Sequence, residues 1–154
     1  MVIVEDTRNK IGQHETKRAA WRKAGDELIR CKIPFGDYCL PPAVAVDTKA
    51  NMSEIAQNIG GPREEHARFR RELQAAAAAN CRLIVLVEND EGIRNISDVK
   101  RWKNPRRDVS PKAIDGPRLA RAMTTMSERY GVTFAFCSPE EAADRIKHYL
   151  KGGA

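Results

Sequence analysis

The stretch FGDYCLPPAVAVDTK, Phe35 to Lys49, decides how this chain is read. Two apolar runs flank Pro41 and Pro42, and since proline cannot donate to a ladder, the pair marks a turn between two strands. Asp37, Asp47 and Lys49 interrupt those runs where a strand otherwise supplies apolar side chains. Residues two apart on a strand share a face, so Asp47 and Lys49 point the same way. A three-residue turn centred on Pro42 places Asp37 opposite Asp47, with Cβ atoms ~5 Å apart. Carboxylates at that spacing repel each other unless a cation lies between them. Oxygen-only ligands suit Mg²⁺ or Mn²⁺, with waters and a substrate phosphate completing the shell. Lys49 then lies beside the scissile phosphate, able to orient or deprotonate a nucleophile and to offset developing charge. On spacing alone, the same pattern also describes a solvated hairpin whose Asp47 and Lys49 are surface charges.

Around this hairpin the chain reads as α/β. Val2–Val4 form a short strand delivering Glu5, Asp6 and Arg8 at its end, followed by a helix over Glu15–Ala24 with Ala20, Trp21 and Ala24 on one side. Glu27–Lys32 and Ile33–Leu40 read as extended, and Ala43–Lys49 as the strand after the turn. From Asn51 the period changes: Met52, Ile55, Ala56 and Ile59 fall on one helical face, stopped by Gly60 and Gly61. Pro62 restarts a helix with Glu64 and Glu65 in its first turn and an apolar stripe of Phe69, Leu73, Ala76 and Ala77. Leu83–Val87 is a continuous apolar run closing on Glu88, as in a strand buried on both faces. Asn89–Pro111 reads as a polar, basic loop with short helical pieces. Leu119, Met123, Met126 and Tyr130 mark a helix stopped by Gly131, and Val132–Cys137 a second buried strand. Ser138 and Glu141 form a capping box for a last helix whose Ala142, Ile146, Tyr149 and Leu150 face inward. The early strands read as antiparallel and the later ones alternate with helices, predicting a mixed sheet flanked by helices in one domain over residues 1–154.

Composition bounds the function classes. The charged fraction of 31% and apolar fraction of 42% describe a globular chain. Lys and Arg number 27 against 21 Asp and Glu, a net charge of +6 that favours an anionic partner, nucleic acid first. Cys31, Cys39, Cys81 and Cys137 show no metal-ligand spacing and read as reduced core thiols. His14, His66 and His148 read as surface residues. The N-terminus has acids where a secretory signal needs an apolar run, and no stretch reaches the ~20 apolar residues of a membrane span, so an intracellular, non-membrane protein is expected.

Motifs spread along the chain resemble one family, the XPF-type structure-specific endonucleases within the PD-(D/E)xK nuclease superfamily, and most of all their archaeal Hef-like members. The family's D-x-R-E reads DTRN here. Its G-D-Y, hairpin and V-A-x-E-R-K-x-x-x-D read GDY and then VAVDTKANMSE. ARFRREL, RLIVLVE, GIRNI and LARAMTTMSERYGVTFAFCSPEEAADRI are similar to later family segments in the same order. The resemblance implies a restriction-endonuclease-like fold and a Mg²⁺- or Mn²⁺-dependent hydrolysis of phosphodiesters in branched DNA, serving repair, recombination or replication. It assigns metal binding to Asp37 and Asp47, with Thr48 in the metal site, and catalysis to Lys49, supported by Asp6 and Arg8. Asp47 stands where the family has Glu, Thr48 where it has Arg, and Asn9 where it has an acid. The family's last acid falls on Ser53, with Glu54 one residue later as the possible replacement.

The DNA side rests on two basic segments. KRWKNPRRD, an insertion relative to the family pattern, carries Lys100, Arg101, Lys103, Arg106 and Arg107 around Trp102. Such a loop either holds phosphates and stacks Trp102 on an unpaired base, or is a solvated loop with Trp102 folded onto the domain. Arg68, Arg70 and Arg71 form a second patch, of which one arginine is expected to face substrate. The resemblance also implies pairing, as a homodimer or with a partner protein, through the last two helices, where Met123, Met126 and Tyr149 serve core or interface. The family's helix-hairpin-helix module has no counterpart in this sequence. Two other readings share these features: a catalytically weak module that binds DNA junctions, and a Holliday-junction resolvase.

Overall fold

The computed structural model describes residues 1–40 and 44–154, with the Leu40 side chain also left aside; the turn expected at Pro41 and Pro42 lies outside the described residues. Six strands form one sheet in the order β2-β1-β3-β4-β5-β6: β1 (Val2–Asp6), β2 (Glu27–Cys31), β3 (Tyr38–Leu40), β4 (Val44–Lys49), β5 (Arg82–Glu88) and β6 (Thr133–Cys137). Only β3 runs against its neighbours. The pair β3 and β4 has Tyr38 opposite Val46 and Cys39 opposite Ala45, the register expected from the sequence. The early strands are not all antiparallel, however: β1 and β2 pair in parallel. A parallel pair needs a crossover, and α1 (Glu15–Lys23) supplies it.

The sheet is covered on both faces. On one, Ala45, Val85 and Val87 meet α2 (Met52–Gly60), α3 (Arg63–Ala78) and α5 (Gly116–Tyr130) through Met52, Ile55, Phe69, Leu73, Leu119 and Met123. On the other, Ile3, Val46, Ile84 and Leu86 meet Trp21 of α1 and Ala142 and Ile146 of α6 (Ala142–Leu150). Strand geometry dictates this division, because alternate side chains of β5 leave on opposite faces and all of Leu83–Val87 are buried. Local signals start and stop the helices as their residue types allow. The Asn51 side chain accepts from the Glu54 amide (2.8 Å), the Glu141 carboxylate accepts from the Ser138 amide (2.9 Å), and Gly131 takes the left-handed conformation (φ 68°) that ends α5. No helix among the described residues is long and apolar enough to cross a membrane.

Three expectations change, and one open alternative is decided. In α1 only Trp21 of the three named residues is buried, while Ala20 and Ala24 are exposed. Lys17 and Arg18 face inward instead, because α1 lies over the acidic strand ends and pairs Lys17 with Glu88 (2.7 Å) and Arg18 with Glu5 (2.8 Å). Of the four free cysteines only Cys137 is buried; Cys31, on the edge strand β2, is exposed. In α3, Ala77 is exposed, beyond the width of the packed stripe. Met123, Met126 and Tyr149 are buried within the chain itself, so they belong to its core.

Trp102 also joins the core. It follows the single turn α4 (Ile96–Val99), packs into the cluster beneath α2 and α5, and donates its indole N–H to the Glu91 carboxylate (3.2 Å). With 6% of its surface exposed it has no face to offer an unpaired base, which corrects the DNA-stacking role. The chain closes tightly there: a Cβ on Gly116 would lie 2.5 Å from the Val99 carbonyl oxygen and 2.6 Å from that of Trp102. Lys100, Arg101, Lys103, Arg106 and Arg107 remain exposed around it. Arg101 pairs with Asp98 (2.7 Å) and Arg107 donates to the Ala113 carbonyl (2.8 Å). Replacing Trp102 with alanine should therefore destabilise the fold by about 3–5 kcal/mol in urea unfolding, the range for a deleted core aromatic. A change within about 0.5 kcal/mol, as at an ordinary surface position, would contradict the packing.

Candidate active site

β3 is antiparallel to both β1 and β4, so these two run the same way and their C-terminal ends reach the same rim of the sheet. The chain enters β3 between them. Asp6 at the end of β1, Asp37 at the entry to β3, and Asp47 and Lys49 at the end of β4 are thereby gathered from distant parts of the sequence. A cleft of about 620 Å³ opens there against α2 and α3, lined among others by Arg8, Asp37, Asp47, Lys49, Glu54 and Glu72.

The Asp37 amide donates to the carbonyl of Val46 (2.8 Å), the residue already opposite Tyr38, so the chain departs from the β3–β4 register as it enters β3, and Asp37 joins Asp47 in lining the cleft. Thr48 lies between the two functional positions of β4. Its amide (2.7 Å) and hydroxyl (2.8 Å) both donate to Asp37 Oδ2. Thr48 thus orients the Asp37 carboxylate through one of its oxygens. Asp47 is buried, and its Oδ2 meets the Lys49 ammonium at 2.8 Å without any well-aligned hydrogen bond. Lys49 is held on its other side by the Phe69 ring, 5.3 Å from the centroid.

Burial pushes the Asp37 carboxyl up to about 7, and the neighbouring Asp47 charge adds to the shift, while the Thr48 hydrogen bonds oppose it. Burial pulls Lys49 down, but the close negative charge of Asp47, with Glu72 and Glu54 behind, more than offsets it and leaves Lys49 raised. Lys49 is a cation at neutral pH. Glu72, on α3 across the cleft, is raised by burial and by the Asp47 charge, though the Gly36 amide, donating at 2.6 Å, and Lys49 and Arg8 pull it back. Asp37, Asp47 and Glu72 are thus acids sharing one space, with an incompletely satisfied buried oxygen on Asp47. That donor set fits a hard divalent cation. Among the described residues, no three His, Cys, Asp or Glu side chains are gathered closely enough to hold a metal ion.

The other expected residues divide by position. Asp6 is buried beneath the cleft: its amide donates to the Asp37 carbonyl (2.7 Å), and its carboxylate accepts from the Arg8 amide (3.0 Å) and guanidinium. Arg8 lines the cleft and ties down the turn before β3 through the Ile33 carbonyl (3.1 Å). Asp6 therefore positions groups that Arg8 and Asp37 present. Glu54 faces the cleft and Ser53 lines a neighbouring hollow. Glu54 is engaged at the start of α2, accepting from the Ala50 amide (2.7 Å). Arg68 and Arg71 line the cleft, while Arg70 points elsewhere. Lys100, Arg101, Lys103, Arg106 and Arg107 do not line it, so the basic loop forms a separate surface. Sequence reasoning missed Glu72. Its signal was its place three residues after the inward-facing Phe69, one step round the helix toward the hairpin.

No protein-family model and no curated protein matches the chain; its likeness is to solved structures. XPF from Aeropyrum pernix superposes with a TM-score of 0.67 at 18% identity, over 98% of this chain and 64% of that one. The same protein solved in complex with DNA superposes at 0.67 and 17% identity, over 97% and 63%. The chain has the fold of the XPF-type nucleases. It spans a little under two thirds of that archaeal XPF chain, and likeness at this identity establishes the shared fold.

The electrostatics are open to a direct check. In the metal-free protein the Asp37 carboxyl should titrate near about 7 by NMR, well above the ordinary ~4, and Asp47→Asn should lower it. The native state then holds this proton more tightly than the unfolded chain. The Asp37 contribution to stability is present in full below about 4 and is lost as pH rises toward about 7. Asp37→Asn should flatten that part of the stability profile. A wild-type midpoint near 4 would remove the basis for this prediction.

Proposed function

We propose that the chain is a Mg²⁺- or Mn²⁺-dependent endonuclease that hydrolyses phosphodiesters in branched DNA such as flaps, forks or junctions. The observation that carries the reading is the buried Asp47–Lys49 pair with Asp37 alongside, at the strand-end cleft of an XPF-type fold. Asp37 and Asp47 would hold the metal, with Thr48 fixing one Asp37 oxygen. When bound, the divalent ion supplies Lewis-acid polarisation of the phosphodiester and offsets the repulsion between the carboxylates. Lys49, charged and clamped between Asp47 and Phe69, orients the attacking water and offsets the negative charge that grows on the phosphoryl oxygens. Its ion pair makes it a poor proton acceptor in this state, so positioning and charge stabilisation are its roles. Arg8 meets a phosphate at the rim, Asp6 holds Arg8 in place, and Arg68 and Arg71 supply further phosphate contacts. Glu54 and Glu72 are the acids within the cleft that are placed to take up the role of the family acid replaced by Ser53. The net charge of +6 suits a polyanionic substrate.

A second reading, a junction-binding module with weak catalysis, draws on the absence, among the described residues, of three acids gathered closely enough to hold a metal ion. Labelled flap, fork, four-way and plain duplex DNA incubated with Mg²⁺ or with EDTA separate the two. The nuclease reading predicts metal-dependent incision of branched substrates, reduced by about 10²–10³ in Asp47→Ala and in Lys49→Ala, the size of loss for a group acting on transition-state charge. Tight junction binding with no incision in either metal would sink the enzyme and leave the binding module.

A further inference from the structure

α3 has two polar flanks. At ~100° per residue, Arg68, Arg71 and Glu72 turn toward the catalytic cleft, while His66 and Arg70 emerge on the opposite side of the helix. That second side looks into a groove between α3 and α5, a cavity of about 310 Å³ with no part in the site described above. Arg118, Arg121 and Arg129 run along one stripe of α5 and join Arg70 in lining it. No acid lines the groove, and among the described residues none of these four arginines forms an ion pair, in contrast to Arg68, Arg94 and Arg101. His66 completes the wall with a buried Nδ1 that has no hydrogen-bond partner.

Four guanidiniums gathered around one concavity repel each other, and the fold offers no carboxylate to relieve them; an anion does. The groove is not purely polar. Half-buried Tyr130 and buried Met126 lend it an apolar side, which a free inorganic anion would leave unused. A ligand carrying both phosphates and flat apolar rings matches both features. We propose that the α3–α5 groove binds single-stranded nucleic acid, its phosphates on Arg70, Arg118, Arg121 and Arg129 and a base against Tyr130. This rests on the DNA-processing reading of the cleft and extends it. α3 is a ridge ~10 Å across, so a strand leaving the cleft over Arg68 and Arg71 meets the groove on the far side.

Binding is measured on the full chain in EDTA, where no incision occurs, by fluorescence anisotropy of a short labelled oligo-dT and of a matched duplex. Arg118→Ala/Arg121→Ala/Arg129→Ala removes three exposed charges from the groove. Lys23→Ala/Arg145→Ala/Lys151→Ala removes three exposed charges elsewhere and controls for net charge. The groove variant should bind oligo-dT at least about tenfold more weakly, with a salt slope shallower by about 2, whereas the control stays close to wild type. Tyr130→Leu should weaken oligo-dT binding several-fold without changing the salt slope. Equal losses in the two triple variants would mean non-specific charge only and overturn the proposal. Equal losses for oligo-dT and duplex would overturn the single-strand assignment. Incision by wild type in Mg²⁺ tests the cleft separately, so failure of one reading is not mistaken for failure of the other.

Discussion

Two carboxylates brought side by side at the end of a buried strand pair are the constraint around which this molecule is arranged. Asp37 and Asp47 repel each other in a setting that shields them poorly, and the surrounding structure is organised to hold them there. Thr48 fixes one Asp37 oxygen with two hydrogen bonds. Lys49 compensates Asp47 directly. The turn that delivers Asp37 is itself clamped, from one side by Arg8 on the Ile33 carbonyl and from the other by Glu72 on the Gly36 amide. Asp6 anchors both Arg8 and the Asp37 backbone. Removing any of these would leave the acids free to move apart, which is the motion that the geometry prevents.

The opposite face of the sheet meets the same difficulty with a different solution. Glu5 and Glu88 end their strands beneath α1, and both are nearly inaccessible to solvent. Protein cations neutralise them: Arg18 forks onto Glu5 with contacts of 2.8 and 3.2 Å, Arg30 approaches from the edge strand, and Lys17 closes on Glu88. This layer is saturated by its own side chains, whereas on the Asp37–Asp47 face a buried Asp47 oxygen has no hydrogen-bond partner. The asymmetry arises from one alternation, since Glu5 and Asp6 are neighbours on β1 and leave on opposite faces.

What could be read from the sequence followed from strict periods. The period of two placed Asp47 and Lys49 together and set the β3–β4 register, and the helical period identified the buried Met52, Ile55, Ala56 and Ile59 of α2 and Leu119, Met123 and Met126 of α5, while Tyr130 at the end of that stripe is only half-buried. Where a segment's surroundings override its own pattern, the reading failed. Alanines at positions 20 and 24 look inward by composition, yet α1 rotates to bury Lys17 and Arg18 because acids wait beneath it. The basic residues around Trp102 suggested a nucleic-acid loop, while the indole was required to fill the space beneath α2 and α5. Glu72 is invisible as a site residue in one dimension, being one acid among several in a charged helix; only the packing of α3 across the hairpin brings it to the cleft. The parallel pairing of β1 and β2 likewise depends on where α1 docks, through the Trp21 indole on the Ala143 carbonyl (3.1 Å), a contact spanning most of the chain.

Charge distribution on α3 ties the local chemistry to the surface as a whole. The helix carries Arg63, Arg68, Arg70 and Arg71 within three turns, an excess that a solubilising face would normally balance with acids at i+3 and i+4. Arg68 alone follows that pattern, pairing with Glu65 at 2.8 Å. The helical angle sends Arg71, with Arg68, to the cleft and Arg70 to the α3–α5 groove, so one element supplies cations to both. Since the core stripe of Phe69, Leu73 and Ala76 fixes the rotation of α3, it also fixes which arginine serves which side. A change in that stripe that turned the helix by a single residue, ~100°, would move Glu72 out of the cleft and Arg70 out of the groove together. The packing of one helix thus sets the relative placement of the cleft and the groove, and neither can be repositioned without the other.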